Sequence, residues 1–151
     1  MKPLVSETKK MEIDEFLRLQ NQKPKKRARS KEEEHRLQTS CVQWFRLEYP
    51  EYRNLLFAVP NGGARSAREG KSLKDEGVLA GVADLFLAVP SAQYHGCFIE
   101  MKTLKNKQQD NQKEFERAVT SKGYCYAVCH SLTEFMGTVI GYLNKASDNK
   151  P

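Results

Sequence analysis

Residues 81–103 constrain the fold of this chain more than any other stretch, because they predict the two strands of a β-hairpin. Residues 82–89 and 97–101 form two apolar runs rich in Val, Ile, Leu and Phe. Between the runs, Pro90 and Gly96 favour a turn. The rest of the chain must therefore be arranged around an antiparallel strand pair near its centre.

The predicted hairpin gathers charged side chains at one end. If it is centred on Ala92, Asp84 lies opposite Glu100, since both are eight residues from that centre. Strand side chains alternate between faces, so Lys102 shares a face with Glu100, and Asp84 joins them across the ladder. The other face is expected to be apolar and to carry Leu85, Leu87, Ile99 and Met101.

Two carboxylates and a lysine at the end of an apolar hairpin favour a metal site. Adjacent carboxylates raise each other's pKa, and buried charges are costly unless they are paired. A divalent cation relieves that conflict, and oxygen ligands suit Mg²⁺ or Mn²⁺ rather than zinc. Lys102 could then orient or deprotonate a water, or neutralise charge that develops on phosphorus. The alternative is a surface hairpin with an incidental Glu100–Lys102 pair, which is disfavoured because these polar residues interrupt apolar strands.

Net charge narrows the class of partner. The 151 residues carry a formal charge of +6, with a pI of about 9.1. A basic chain of one-domain size favours an anionic partner, nucleic acid first, although charge alone also fits a basic protein without such a partner. No apolar run is long enough to span a membrane, and the N-terminus lacks the apolar core of a signal peptide.

The cysteines point to a cytosolic protein. None of the four has CxxC spacing, and three of them lie inside apolar strand runs. Reduced core thiols are therefore expected, and a zinc site is not. The residues are Cys41, Cys97, Cys125 and Cys129.

The ends of the chain are expected to be peripheral. Residues 1–29 predict an N-terminal extension, with a short helix at 11–20 and a basic run at 21–29. That run is interpreted as a solvated linker; a phosphate-binding arm and a localisation signal are the alternatives. The main domain is predicted over residues 30–146, followed by a polar tail at 147–151.

A helix from Ser30 to about Glu48 is predicted to open the domain. Ser30 and Glu33 have capping-box spacing. Glu34 and Gln38 fall on the stripe of the helix that faces the core. Glu34 is therefore either a first-turn acid that faces solvent or a further metal ligand, directly or through water. The apolar members of the stripe are Leu37, Cys41, Val42 and Phe45.

A basic helix precedes the hairpin. A short strand at 55–59 leads into a turn that contains Asn61 and Gly62, and a helix is predicted at 64–76. The turn glycines allow close backbone approach, and amides at a helix start can bind phosphate. A DNA-backbone surface is favoured over an ordinary solvated face, and its basic residues are Arg65, Arg68, Lys71 and Lys74.

The segment after the hairpin completes an α/β pattern. Gln112 lies near the start of a helix that ends about residue 121, where it could hydrogen-bond Lys102, a water or a phosphate, or be a plain first-turn residue. A strand at 124–129 follows, and a capping box of Ser131 and Glu134 opens the last helix. The order α, β, α, β, β, α, β, α predicts a sheet of about four strands flanked by helices.

The pattern of an aspartate, a gap and then Glu-x-Lys, formed by Asp84, Glu100 and Lys102, resembles the motif of the PD-(D/E)xK nuclease superfamily. More specifically, residues 31–131 are similar to VRR-NUC (virus-type replication-repair) nucleases, which stand alone in phage and bacterial proteins or are fused to larger repair enzymes. The motifs that match are Glu34-x-x-x-Gln38, FAVPNGGAR, LKDEGVLAGVAD, IEMKT and Gln112. One departure is Ala83, where the family usually has proline; because this residue shapes the strand start and is not a ligand, no loss of activity is expected.

The resemblance implies a restriction-endonuclease-like core with a mixed sheet, and a role for each matching residue. It implies metal ligation by Asp84, Glu100 and the Met101 carbonyl, with Glu34 completing the outer metal site. Lys102 would serve the attacking water, with Gln112 beside it. The expected DNA-binding residues are Gln38, Asn61, Gly62, Arg65, Arg68, Lys71 and Lys74.

The implied function is an Mg²⁺- or Mn²⁺-dependent DNA endonuclease of the cytoplasm of a bacterial or phage-infected cell. Some stand-alone members resemble Holliday-junction resolvases, so a homodimer on branched DNA is the more specific expectation. One alternative is a nucleic-acid-binding module of the same fold that does not cleave, against which the intact Asp84, Glu100 and Lys102 argue. Another is a metal-dependent hydrolase of other substrates, against which the basic helix argues.

Overall fold

The computed structural model describes residues 26–60 and 66–147. The helix predicted at 11–20 lies outside this part of the chain, and so do Asn61, Gly62 and Arg65. Glu33 begins the larger of two compact units into which the chain divides, and the sheet belongs to that larger unit.

The described elements follow the predicted order. The first helix runs over 23 residues, and a single turn of 3₁₀ helix, Pro50–Tyr52, follows it. In chain order the elements are α1 (Lys26–Glu48), β1 (Leu56–Ala58), α2 (Ala67–Asp75), β2 (Leu85–Leu87), β3 (Cys97–Met101), α3 (Asp110–Thr120), β4 (Cys125–Cys129) and α4 (Leu132–Ser147).

The start of α1 differs from the prediction. The helix begins at Lys26, so Ser30 lies inside it and is not its N-cap. Lysine, arginine and alanine at positions 26–29 are good helix formers, and they extend the helix backwards past the serine. The predicted end at Glu48 is confirmed, because Pro50 disfavours helical backbone in the residue before it.

The starts of α2 and α4 also depart from the prediction, α2 in its position and α4 in its capping. Helix α2 begins three residues later than expected, where Ser66 and Glu69 form a reciprocal capping box. At α4, Ser131 Oγ accepts from the Glu134 amide at 3.1 Å. The Glu134 carboxylate accepts from the His130 amide at 2.7 Å instead of returning to Ser131. The serine cap is therefore present, whereas the predicted reciprocal bond is not.

The four strands form one mixed sheet in the order β1-β2-β3-β4. Strands β1, β2 and β3 are antiparallel neighbours, and β4 lies parallel to β3. Leu85 pairs with Ile99 and Leu87 with Cys97, which confirms the predicted hairpin register. Strand β2 is shorter than predicted at both ends. At its start, the Met101 amide donates to the Asp84 side chain rather than to a ladder carbonyl.

One face of the sheet forms the hydrophobic core. Leu85, Leu87, Ile99 and Met101 are all buried, as the alternation predicted. Helices α1 and α4 cover this face, since their apolar stripes belong to the same cluster of buried side chains. Those helical residues are Cys41, Phe45, Phe135, Val139, Tyr142 and Leu143.

Aromatic side chains near the end of α1 extend that core. Trp44 meets Phe135 edge-on at 6.0 Å between ring centroids, and Tyr49 at 5.8 Å. Tyr49 in turn lies 6.4 Å from Tyr52. Trp44, Tyr49 and Tyr52 are all half-buried and pack against the hydrophobic core of this chain.

The second face of the sheet carries the charged cluster and an aromatic row. The row consists of Phe57, Phe86, Phe98 and Tyr126, one from each strand, and successive members are register partners. Helix α3 lies over part of this face, where Phe115 meets Phe98 edge-on at 5.1 Å.

All four cysteines are free thiols, as predicted; Cys125 is half-buried and the other three are buried. Among the helices of the described residues, none is both long and apolar enough to cross a membrane.

Gly81 provides a close contact between the loop before β2 and α3. Its φ is +91°, and a Cβ there would lie 2.7 Å from the Asn111 carbonyl oxygen. Gly77 has a similar φ of +97°, but nothing lies within 4 Å of its Cβ position. A side chain at either position would be strained by the positive φ, and only at Gly81 would it also clash with a neighbouring backbone.

We expect Gly81→Ala to lower the free energy of unfolding by at least about 2 kcal/mol, because strain and the backbone clash add. Gly77→Ala should lose roughly 1 kcal/mol, from strain alone. Urea unfolding of both variants is the measurement. Equal losses would contradict the close approach of Gly81 to α3.

Candidate active site

The charged cluster lies where the start of β2 meets the end of β3. Asp84 immediately precedes β2, Glu100 lies in β3, and Lys102 follows β3. Because the two strands are antiparallel, the start of β2 and the end of β3 lie at the same end of the sheet. Continued by one residue beyond the pair Leu85–Ile99, the register places Asp84 opposite Glu100, as the sequence predicted.

Asp84 is fixed by a backbone amide. Its Oδ2 accepts from Met101 N at 2.8 Å. Burial raises the pKa of Asp84, while that hydrogen bond and the charge of Lys102 lower it and the charge of Glu34 raises it. The net direction is upward, and a bound cation would act against this rise in the pKa of Asp84.

Glu100 is the most buried charged side chain of the cluster, with about 1% of its surface exposed. Its Oε1 accepts from Gln112 Nε2 at 2.6 Å and lies 3.0 Å from Lys102 Nζ. Its Oε2 is buried and has no hydrogen-bond partner among the described residues. Burial, and then the charge of Asp84, raise the pKa of Glu100 to about 7 against the opposing effect of Lys102.

Lys102 is a buried cation, about 8% exposed. Its Nζ contacts Glu100, and its backbone amide donates to the Cys129 carbonyl at 3.0 Å. This second bond continues the parallel pairing of β3 and β4 past Met101. The lysine is therefore held from both its main chain and its side chain.

Gln112 contacts Glu100, which the sequence did not predict. Gln112 is the third residue of α3, and its Oε1 accepts from the N-cap amide of Gln109 at 2.9 Å. Because the amide oxygen is used in this way, the amide nitrogen is directed to the carboxylate on the sheet. Gln112 thus reaches Lys102 only through the oxygen that both residues share.

Glu34 reaches the same end of the sheet from α1. Its Oε1 accepts from Asn106 Nδ2 at 2.8 Å and from Thr103 N at 3.5 Å. Its charge also raises the pKa values of Asp84 and Glu100, so it lies within electrostatic range of both. The contact with Asn106 was not foreseen, since residues 104–110 carry no pattern beyond polarity. A role for Glu34 as an outer ligand stays a prediction.

Gln38 lies one turn after Glu34 and is half-buried. It therefore shares the inward-facing side of α1, as the predicted stripe required. Its contact with DNA stays a prediction.

The donor set fits a hard divalent cation. Within residues 26–60 and 66–147, no group of three or more His, Cys, Asp or Glu side chains is arranged to hold a metal ion. Mg²⁺, however, is usually held by one or two carboxylates with waters completing its shell. Asp84 and Glu100 supply two carboxylates whose pKa values are raised by burial, and the buried Glu100 Oε2 has no partner among the described residues. These residues suit Mg²⁺ or Mn²⁺; ligation by the Met101 carbonyl stays a prediction.

The basic helix is present and its charged side chains are exposed. Arg68, Lys71 and Lys74 lie on α2, and Lys71 Nζ forms an ion pair with Asp75 at 3.2 Å. Such an exposed pair contributes little stability and leaves the lysine accessible to an anion. The segment from Gly77 onward leads directly from this helix to Asp84.

The fold and the cluster together define a class. A mixed four-stranded sheet flanked by helices, with two carboxylates and a lysine at the meeting point of antiparallel strands, is an α/β restriction-endonuclease-like fold. The main hydrophobic core lies on one face of this sheet, and the charged groups lie on the other.

Known proteins agree with that class. The family model "VRR-NUC domain" matches residues 19–132, and the chain therefore belongs to the VRR-NUC family. A solved structure named "VRR_NUC domain protein" is similar in fold, with a TM-score of 0.66 and 23% sequence identity. That similarity covers 75% of this chain and 89% of the other. No curated protein matches the chain.

The family supports a nuclease-type function, since its members are generally nucleases, and a nuclease domain implies DNA binding. The matched range includes Glu34, Asp84, Glu100, Lys102 and Gln112. At the departure from the family pattern, the Ala83 side chain is fully buried beside Asp84.

The raised pKa of Glu100 predicts a pH-dependent effect of Glu100→Gln on metal-free stability. Folding favours the protonated acid, so wild-type stability falls as pH rises from about 4.5 to about 7. The neutral amide removes that loss. We expect the variant to match the wild type near pH 4.5 and to be more stable by roughly 1–3 kcal/mol above pH 7.

Urea unfolding at several pH values in EDTA measures this difference. Lys122→Gln, in the exposed turn before β4, is a control that should show no such pH trend. A variant less stable than the wild type at pH 8 would mean that the Lys102 and Gln112 contacts outweigh the burial of the charge.

Proposed function

We propose that this protein is a divalent-metal-dependent DNA endonuclease that hydrolyses phosphodiester bonds. The observation that carries the proposal is the buried Glu100 Oε2, which has no hydrogen-bond partner among the described residues and lies across the strand pair from Asp84. A carboxylate oxygen kept dry and unpaired beside a second acid is a costly arrangement, and binding of a cation relieves it. The family supports the nuclease part of this proposal.

Mg²⁺ or Mn²⁺ would be held by the side chains of Asp84 and Glu100 and by the Met101 carbonyl, with Glu34 at its outer side. When bound, the cation supplies Lewis-acid polarisation of the scissile phosphate and charge for the transition state. The residues of the chain supply the geometry. The Met101 amide holds Asp84, and Lys102 and Gln112 hold one oxygen of Glu100.

Lys102 acts on the attacking water and on the phosphate. Its ammonium group can donate to a water and offset the negative charge that grows on the phosphate oxygens. The water oxygen attacks phosphorus in line and releases a proton to solvent, the bond to the 3′ oxygen breaks, and that oxygen takes up a proton. The products are a 5′-phosphate and a 3′-hydroxyl, by analogy with the family. Gln112 is a positioning residue, since it contacts Glu100 and not Lys102.

We expect Asp84→Asn, Glu100→Gln and Lys102→Ala each to lower the cleavage rate by at least about 100-fold. Mg²⁺ or Mn²⁺ binding, measured by calorimetry, should be lost in Glu100→Gln and retained in Lys102→Ala, because only the acid is a ligand. DNA binding should be largely retained in all three variants.

Lys122→Ala is the matched control, since this exposed lysine lies at the opposite end of the sheet. It should cleave at the wild-type rate. Near wild-type cleavage by either acid variant would overturn the site. Binding of DNA without cleavage in either metal would favour the alternative, a non-cleaving nucleic-acid-binding module.

The basic face of α2, together with Arg65, is proposed to bind the DNA backbone. Arg68→Glu/Lys74→Glu should weaken DNA binding and reduce the slope of log K against log [salt] by about one unit for each phosphate that the protein no longer neutralises. Arg117→Glu/Lys122→Glu makes the same change of charge on exposed residues near the far end of the sheet, and should affect the slope much less. Equal effects of the two pairs would show a general influence of net charge. Asn61, Gly62 and Gln38 are proposed as further DNA contacts.

The most specific part of the proposal is that the protein acts as a homodimer on branched DNA. Two matched cuts in a four-way junction require two sites, which a two-fold dimer provides. We expect light scattering at micromolar concentration to give a dimer, and a panel of single-stranded, duplex, flap and four-way DNA to show preferred junction cleavage. A monomer that cuts plain duplex and ignores junctions would rule this part out and leave the nuclease itself standing.

A further inference from the structure

Phe57 is an exposed aromatic ring at the open edge of the sheet. Strand β1 is the edge strand, and about 47% of the Phe57 surface is accessible. Its neighbours in the aromatic row are more buried, since α3 covers the part of the row near β3 and β4. The row therefore ends in a ring that packs on one side and is open on the other.

The aromatic row holds Phe57 in a defined orientation. Phe57 and Phe86 are register partners, with ring centroids 5.8 Å apart and planes at 69°. Phe86 in turn lies 4.5 Å from Phe98. Gly96 makes room for this stack, because a Cβ there would come within 2.6 Å of the Phe86 ring. A ring buttressed in this way offers a surface that loses little entropy when a flat ligand binds.

Phe57 also lies on the face that carries the acids. Val59 N donates to the Asp84 carbonyl at 2.8 Å, so β1 continues alongside Asp84. Phe57 precedes Val59 by two residues and points to the same face, so Phe57 and Asp84 are diagonal neighbours on adjacent strands. The Cα atoms of such a pair lie roughly 7–8 Å apart, a distance that aromatic side chains can span. This separation is comparable to one nucleotide of an extended single strand.

We propose that Phe57 forms a base-stacking subsite for an unpaired nucleotide next to the phosphate bound at Asp84 and Glu100. The ligand class is single-stranded DNA, or a single-stranded region beside a duplex. The subsite deepens the proposed nuclease function and rests on it for the position of the phosphate. Every base offers a flat π surface, so this contact selects unpaired structure and not sequence.

The surroundings favour a nucleotide over a second copy of the chain. A stable protein interface buries about 800 Å² on each partner, and one half-exposed ring beside the marginally exposed Leu55 falls well short of that area. The formal charge of +6 and the exposed basic residues of α2 favour a polyanion. Proteins that bind single strands combine basic groups, which contact the backbone, with aromatic side chains, on which the bases stack.

The test compares three changes at Phe57 in the full chain. Phe57→Ala removes the ring, Phe57→Leu keeps an apolar side chain without a flat surface, and Phe57→Tyr keeps the ring. Leu47→Ala is the matched control, since Leu47 is an apolar residue of α1 with about 83% of its surface exposed. Fluorescence anisotropy measures the affinity for a labelled oligothymidylate and for a duplex of equal length. Ca²⁺ is the only divalent cation present, and gels confirm that the DNA stays intact.

We expect Phe57→Ala and Phe57→Leu to bind the single strand about tenfold more weakly, with the salt slope unchanged because the same phosphates are still neutralised. Phe57→Tyr and Leu47→Ala should bind like the wild type, and duplex affinity should change less than about threefold. Full affinity in Phe57→Ala or Phe57→Leu would overturn the subsite, as would an equal loss for duplex or a wild type that does not bind the single strand. A dimer that dissociates in Phe57→Ala would assign this surface to a second copy instead.

These results are separable from those that test the nuclease. If the wild type binds the single strand through Phe57 but cleaves nothing in Mg²⁺ or Mn²⁺, the subsite stands and the proposed hydrolysis fails. If it cleaves while Phe57→Ala binds normally, the hydrolysis stands and the subsite fails.

Discussion

The buried carboxylate of Glu100 organises the charged end of the sheet. Lys102 and Gln112 both contact its Oε1, so a lysine at the end of β3 and an amide of α3 are tied to one atom. Ion pairs in such a setting lose much of their attraction to desolvation, and further hydrogen bonds are needed to offset that loss. Here both donors approach the same oxygen, which leaves Oε2 buried without a partner among the described residues. One oxygen of Glu100 is thus held by two donors, and the other has no hydrogen bond from the described residues.

The antiparallel register converts this local arrangement into a two-acid site. Asp84 and Met101 are 17 residues apart, yet the Met101 amide donates to the Asp84 carboxylate at 2.8 Å. This hydrogen bond replaces one of the sheet's ladder. It therefore both ends the pairing of β2 with β3 and fixes the position of the Asp84 side chain. Glu34 then approaches from α1 and is held by the loop after β3. The antiparallel direction of β2 and β3 thus brings two of these segments together, and the contacts of Glu34 with the loop after β3 add the third.

The two faces of the sheet differ in the side chains that they carry and in what those side chains contribute. Alternation places Leu85, Leu87 and Ile99 toward α1 and α4, where burial of apolar surface stabilises the fold. The same alternation places Phe57, Phe86 and the acids toward the α3 side. Because α3 covers only part of that face, the Phe57 ring on β1 stays about half-exposed, whereas Glu100 and Lys102 are buried. A single period-two pattern thus separates the stabilising core from the groups available for chemistry.

Much of this arrangement follows from short-range pattern. The two apolar runs and the turn between them predicted the pairing of Leu85 with Ile99, and with it the meeting of Asp84 and Glu100. Other features depended on competition that no local pattern resolves. Ser30 has good capping spacing, but the helix-forming residues before it extend α1 to Lys26. Gln112 was expected to hydrogen-bond Lys102, a water or a phosphate, or to be a plain first-turn residue, whereas its use of the Gln109 amide turns its nitrogen to Glu100.

The element order, the hairpin register and the identity of the acid and lysine cluster follow from the amino-acid sequence without further information. They do so because strand alternation and turn residues act over a few positions of the chain. Tertiary packing sets which atoms those groups contact: the Met101 amide at Asp84, the shared oxygen of Glu100, Asn106 at Glu34 and the open ring of Phe57. These contacts join residues from separate elements, and their geometry depends on how α1 and α3 pack against the sheet, which the periodicity of each element alone does not specify.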